Sequence, residues 1–168
     1  MRADSSPIRI LTVDDHALLL EGIAALVNAE SDMKLVAEAF NGQEAIKQFR
    51  VHRPDVTLMD LQMPALNGIE AIIGIRSEFP NARIIVLTTY AGDVQVMRAL
   101  KAGARGYVLK GHVHRELLDT IRAVHAGQKR IPPEVAAELA EHTGEDDLSS
   151  REIEVLRLIG RASCRERV

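Results

Sequence analysis

Short apolar runs rich in β-branched residues recur along the chain, and each is followed by a longer stretch with helical spacing. The runs cover 8–13, 34–39, 55–59, 83–88 and 106–109, each of strand length and bounded by turn or charged residues. Several are apolar throughout, as expected of strands buried on both faces of a parallel sheet; a sheet with one wet face would alternate. Between them, residues 16–28 place Leu18, Leu19, Ile23, Leu26 and Val27 on one broad apolar face. Residues 42–51 carry Ala45, Ile46 and Phe49, and 68–79 carry Ile69, Ile72, Ile73 and Phe79. Residues 93–102 carry Val94, Met97 and Leu100, and 113–126 carry Leu117, Leu118, Ile121 and Val124. Asn41-Gly42 opens one of these helices and Pro80-Asn81 closes another, while Gly103 and Gly127 stand just past two helix ends. A regular strand–helix alternation predicts an α/β fold, because parallel neighbours need right-handed crossovers. Five such units predict a flavodoxin-like (βα)5 doubly wound parallel sheet with strand order 2-1-3-4-5.

After Gly127 the pattern changes. Residues 128–131 run into Pro132-Pro133, which cannot continue a helix. Residues 134–141 read as a short helix, 142–147 as a polar acidic loop, and 148 opens a further helix with Ile153, Val155, Leu156, Leu158 and Ile159. Ser149 and Glu152 have the spacing of a capping box at its start. This last piece is too small to bury its own apolar face, so a C-terminal helical extension belonging to something larger is expected.

Composition adds little and excludes some classes. A hydrophobic share of 46% and a charged share of 27% in 168 residues suit a soluble globular chain. The net charge of −3 gives no reason for the whole chain to bind nucleic acid, although it leaves room for a basic module at one end. Cys164 is the single cysteine, so no intrachain disulfide forms, which fits a reducing cytoplasm. Residues 1–7 are short and polar, with no signal-peptide core, and read as a disordered N-terminus.

The chemistry lies at the strand ends. In an open α/β sheet, ligands sit beyond the carboxyl ends of the strands where strand order reverses, here between strands one and three. Strand one ends in Asp14-Asp15 and strand three in Asp60. Such a cluster of carboxylates is unfavourable without a cation, and an oxygen-rich set suits Mg²⁺. Thr88 closes strand four with a hydroxyl, and Lys110 follows strand five with an ammonium. A free carboxylate, a metal, a hydroxyl and an ammonium together form a site for phosphoryl transfer onto Asp60. No separate general base for hydrolysis is evident, so the acyl phosphate should persist.

The motifs Asp14-Asp15, Asp60-x-x-Met63-Pro64-x-x-x-Gly68, Thr88 and Tyr107-Val-Leu-Lys110 resemble the receiver domain of response regulators of bacterial two-component systems, over residues 8–127. Asp14-Asp15-His16 with Glu21-Gly22, and Leu148-Ser-x-Arg151-Glu152-x-Glu154-Val155-Leu156, resemble its NarL/LuxR-type subfamily. The resemblance implies Asp60 as phosphoacceptor and Mg²⁺ held by Asp15, Asp60 and the Gln62 backbone carbonyl, with Asp14 acting through water. It implies Lys110 on the phosphoryl group, Thr88 moving toward it, and Tyr107 changing rotamer. A sensor histidine kinase would be the donor, and phosphorylation would favour a homodimer. Residues 128–147 would be a linker with a short helix, and 148–168 the first helix of a LuxR-type helix-turn-helix domain. Promoter DNA is then a partner of the full-length protein only. The chain would be no enzyme beyond its own phosphorylation and dephosphorylation.

Departures from the pattern carry their own expectations. Gly111 stands where many receivers have proline, which leaves the Lys110 peptide unspecified. Leu20 replaces a residue that is often basic, so a surface contact should be lost. Relatives continue through a scaffold helix and a recognition helix, whereas residues 160–168 track them only loosely and read as a truncation scar, a frameshift or vector-encoded. His16 reads as a helix-start residue and not a ligand, and His112 and His114 lack partners for a metal site. An Asp-nucleophile phosphatase would need a second aspartate where Gln62 stands. A pseudo-receiver acting only as an interaction module would have lost an acidic or lysine position, and none is lost.

Overall fold

Alternate residues of a strand point to opposite sides of a sheet, and when both sets are apolar each side needs its own cover of helices. The computed structural model describes residues 6–89, 94–131 and 137 and shows that arrangement. The elements are β1 (Ile8–Val13), α1 (Ala17–Asn28), β2 (Met33–Ala39), α2 (Gly42–His52) and β3 (Val56–Asp60), followed by α3 (Gly68–Glu78), β4 (Ile84–Thr88), α4 (Val94–Lys101), β5 (Gly106–Leu109) and α5 (Val113–His125). All strands pair in parallel, in the order β2-β1-β3-β4-β5. The flavodoxin-like order expected from the alternation is therefore the one observed, with boundaries shifted by a residue at several ends.

The strands divide their side chains between two cores. Leu11 and Val13 of β1, Met59 of β3 and Val86 of β4 join Phe49 of α2, Ile72 of α3 and Met97 of α4 on one side. Ile8 and Ile10 of β1, Leu58 of β3 and Leu87 of β4 join Ile23 of α1 and Leu117 and Ile121 of α5 on the other. Two helix starts are fixed by asparagine: the Asn41 side chain accepts from the Glu44 N–H at 2.8 Å, and Asn67 accepts from the Glu70 N–H at 2.9 Å. Each such cap contributes about 1 kcal/mol.

One expected face is corrected. Leu18 is 82% exposed, whereas Leu20 is only 2% exposed and packs inward with Ile23 and Val27. Two positions on a helix are about 200° apart, so burying Leu20 turns Leu18 outward. Position 20 is therefore a core position, and Leu20 has no surface through which to make the contact whose loss was expected there.

The chain after α5 also differs from a plain linker at its start. Gly127 takes a positive φ of 92°, and the chain then turns back along the outer edge of β5. The Arg130 N–H donates to the Arg105 carbonyl at 2.9 Å, and the Tyr107 N–H donates to the Arg130 carbonyl at 3.2 Å. Ile131 packs on the core beneath α2, α3 and α4. Apart from Ala137, which is helical, the expected helix over 134–141 and the whole of 148–168 lie outside the described residues, as does Asp93.

The tightest backbone approach lies beneath β3. The Gly68 N–H donates to the Leu61 carbonyl at 3.3 Å as α3 begins. A Cβ on Gly68 would overlap the Asp60 carbonyl oxygen and come within 2.7 Å of the Leu61 Cα. The helix can start this close to the strand end only because the residue has no side chain. Gly68→Ala should lower unfolding free energy by about 1–3 kcal/mol, measured by urea denaturation, because backbone must move to admit the methyl. A variant as stable as the parent would show that the approach is not constrained.

Candidate functional site

β1 and β3 lie side by side, so the residues at their carboxyl ends share one crevice. The Asp14 N–H still donates to the Ala39 carbonyl of β2 at 3.1 Å, which anchors the backbone while the side chain enters the crevice. Asp14 is fully buried and Asp60 is 2% exposed. Two buried carboxylates in one pocket repel each other and lack water, so they persist only with cations or donors beside them.

Lys110 supplies one such cation. Its Nζ lies 3.0 Å from Asp14 Oδ2 and 3.3 Å from Asp60 Oδ1, bridging the two strand ends from beyond β5. Lys110 opens a single 3-10 turn leading into α5, and no peptide among the described residues is cis, so Gly111 follows through a trans bond. Burial works against the ammonium, but Asp14 and Asp60 outweigh it and hold its pKa above that of an ordinary lysine. The Gln62 N–H donates to Asp60 Oδ1 at 3.1 Å. The other oxygen, Asp60 Oδ2, is buried with no hydrogen-bond partner among the described residues.

His16 supplies a second cationic or donor group. Its backbone N–H donates to Asp14 Oδ1 at 2.9 Å, and its ring Nδ1 lies 2.9 Å from the same oxygen and 3.1 Å from Asp15 Oδ1. The hydrogen bond to Asp14, with the charges of Asp14 and Asp15, raises its pKa above the usual histidine value. His16 does precede α1, as expected of a helix-start residue, yet its ring belongs to the carboxylate cluster. The run Asp14-Asp15-His16 carried that signal, because a residue following two site carboxylates in a tight turn has little choice of neighbours.

Asp14, Asp15, His16 and Asp60 each offer a ligand atom, and these atoms lie within 4.8 Å of one another. With the orphaned Asp60 Oδ2, the donor set fits a divalent cation bound chiefly through oxygen. Thr88 is buried at the end of β4, in register with Leu109, one residue before Lys110. Tyr107 is buried in the core on the α4 side and is not a wet edge residue. Thr88 thus stands at the end of β4, whereas Tyr107 lies two residues before the end of β5, and the close contacts of the crevice join Asp14, Asp15, His16, Asp60, Gln62 and Lys110.

The family model for the response regulator receiver domain matches residues 10–122. The chain belongs to that family. It is 36% identical over 169 aligned residues to the transcriptional regulatory protein LiaR of Bacillus subtilis, covering 96% of this chain and 80% of that one. It is 32% identical to the response regulator protein VraR of Staphylococcus aureus, covering 96% and 79%. Among solved structures it is similar to a LuxR-family two-component response regulator from Aurantimonas, at 38% identity and a TM-score of 0.75 over 83% of this chain and all of that one. The response regulator domain of Thermotoga maritima CheB matches at 32% identity and a TM-score of 0.68, over 76% and 99%. The chain is accordingly a two-component response regulator of the NarL/LuxR type. Among its described residues no helix is long and apolar enough to cross a membrane.

Burial first, and then the charge of Asp14, push the Asp60 pKa up to about 6 from 3.8. The folded chain therefore holds this proton more tightly than the unfolded chain, so the stability associated with it is complete below about pH 4 and is lost as pH rises through about 6. Without divalent cations, Asp60→Asn should be more stable than the parent by about 1–3 kcal/mol at neutral pH, and the gap should close near pH 4. Denaturant titrations in a chelator at both pH values measure it; a gap that widens in acid contradicts the sign.

Proposed function

We propose that Asp60 is the phosphoacceptor of this response regulator, and that its occupancy switches a transcription-regulating, DNA-binding output in the full-length protein. The observation that carries the reading is Asp60 Oδ2, a buried carboxylate oxygen without a hydrogen-bond partner among the described residues, in a pocket whose other groups already hold Oδ1. An oxygen that no protein group holds is the one left to act as nucleophile. With a pKa of about 6 the carboxylate is ionised at neutral pH, so no general base is needed, and its raised basicity favours attack.

The transfer balances simply. Asp60 Oδ2 forms a bond to phosphorus as the phosphorus–nitrogen bond to a phosphohistidine of the sensor kinase breaks, and the electron pair leaves with the imidazole. Lys110, already 3.3 Å from Asp60 Oδ1, follows the added negative charge, and Thr88 donates its hydroxyl to a phosphoryl oxygen. Asp15 and Asp60, the Gln62 carbonyl, and Asp14 through water would hold Mg²⁺, which supplies neutralisation of the phosphoryl charge when bound. Tyr107 shares β5 with the residue preceding Lys110, and its rotamer reports the change on the α4–β5–α5 side. We place the protein in the cytoplasm, as a non-enzyme apart from making and losing its own acyl phosphate, with a phosphorylation-favoured homodimer binding promoter DNA.

Two other readings fit less well. Gln62 sits where a phosphatase using an aspartate nucleophile would need a second acid, and its N–H is spent on Asp60. A phosphate-independent interaction module has no use for a lysine held between two buried carboxylates. Incubation with acetyl phosphate and magnesium should add one phosphoryl group by intact-mass spectrometry, and Asp60→Ala should abolish it. Lys110→Ala should retain labelling while losing about tenfold or more in switching output, because the charge relay is cut. An unlabelled parent chain supports the interaction module, and rapid turnover of generic phosphate esters supports the phosphatase.

A further inference from the structure

At the amino ends of the strands, opposite Asp60, a cleft of about 370 Å³ lies between the turn joining α2 to β3 and the turn joining α3 to β4. Phe49, Phe79, Pro54 and Pro80 give it an apolar lining, and Arg53 and Arg83 add two guanidinium groups.

Both arginines have donors to spare. Among the described residues the Arg53 side chain donates only through Nε, to the Arg50 carbonyl at 3.1 Å. Its guanidinium carbon lies 4.1 Å from the centre of the Phe79 ring, which seats the group and leaves its terminal nitrogens for another acceptor. Arg83 Nε is buried with no hydrogen-bond partner among the described residues. The acids of the cleft are already engaged: Asp55 Oδ2 accepts the Arg9 N–H at 2.9 Å, and both Glu78 oxygens accept from Arg50. Arg9, Arg50, Arg53 and Arg83 set against Asp55 and Glu78 leave this rim with an excess of positive charge. Arg53 also caps α2 with φ 47° and ψ 61°, a left-handed conformation that glycine takes at lower cost. The backbone is strained there to carry a side chain, and that side chain is the one over Phe79.

We propose that this cleft binds a small carboxylate with a planar aromatic body, its carboxylate held by Arg53 and Arg83 and its ring by the apolar lining. A guanidinium matches a carboxylate with its fork of donors and stacks on aromatic faces, so one group reads both halves of such a ligand. The seat over Phe79 orders the fork before the ligand arrives, which lowers the entropy lost on binding. An inorganic anion would leave the apolar lining uncovered, and a neutral aromatic would leave Arg83 Nε buried without an acceptor. The volume falls within the lower range of small-molecule sites and suits an acid of one or two rings.

Titration of the full chain with 2-naphthoate, followed by ¹H–¹⁵N NMR, tests the site. Saturable shifts should appear at the amides of Arg53, Asp55, Phe79 and Ala82, with a dissociation constant of about 1 mM for a ligand of about 13 non-hydrogen atoms. 2-Naphthylmethanol keeps the rings and acetate keeps the charge; each should bind about tenfold or more weakly. Arg53→Gly suits the left-handed backbone and removes the guanidinium, and Arg83→Met keeps an apolar stem. Each should weaken naphthoate binding about tenfold or more, with circular dichroism checking that the fold is retained. No saturable shift up to about 10 mM, well above the dissociation constant expected for this size, overturns the proposal. Equal affinity for naphthoate and naphthylmethanol, or parental affinity in both folded variants, overturns it as well. Shifts centred on Asp60 and Lys110 instead would place the acid at the other end of the sheet and also refute it.

Discussion

Two buried carboxylates from different parts of the chain, Asp14 and Asp60, are held side by side by one ammonium, and the rest of the site is arranged around that contact. Alone, each would be pushed toward its neutral form by burial and by the other's charge. Lys110 at 3.0 and 3.3 Å lets both stay close. It can do so because the β2-β1-β3-β4-β5 order places β1 and β3 adjacent at the reversal of strand order while β5 delivers its following residue to the same edge. The sheet order is thus the means by which a sequence separation of nearly a hundred residues becomes an ion-pair distance.

The local turns serve the same contact. The Gln62 N–H holds Asp60 Oδ1, and Oδ2 is left buried without a hydrogen-bond partner among the described residues. Gly68 lets α3 begin against the carbonyl of Asp60, which fixes the strand end that carries the carboxylate. The loop is further tied by the Gly42 N–H donating to the Leu66 carbonyl, so the turn after β2 and the turn after β3 support each other. The positions of highest electrostatic cost are those with the most backbone constraint around them.

Much of this was legible from the residues. The apolar runs declared buried parallel strands because both faces are covered, and Asp14, Asp15, Asp60 and Lys110 could be placed together once the strand order was inferred. What was less legible depended on rotation and turn geometry that spacing does not resolve. A leucine triplet at 18–20 does not say which member faces inward; the rotation of α1 buries Leu20 with Ile23 and Val27 and exposes Leu18. His16 looked like a mere helix-start residue, since its role depends on an Asx-type turn that brings the ring back over Asp14 and Asp15. The return of Arg130 along β5 had no pattern to announce it, because a single bridge needs only backbone groups.

On the proposed reading, the same charge balance explains why phosphorylation would act at a distance. Forming the acyl phosphate replaces one carboxylate charge at Asp60 by close to two charges carried further out along the side chain. Lys110 now divides its attraction between Asp14 and Asp60, so moving the negative charge outward draws the ammonium with it. Lys110 is continuous with β5 through Leu109, and Tyr107 of that strand donates its N–H to Arg130, the start of the segment that leads on toward residues 148–168. A displacement at Lys110 therefore acts on a strand whose outer edge is already bonded to the chain leaving the domain. The interaction that lets two acids share a pocket would then be the one that transmits the loss of their balance.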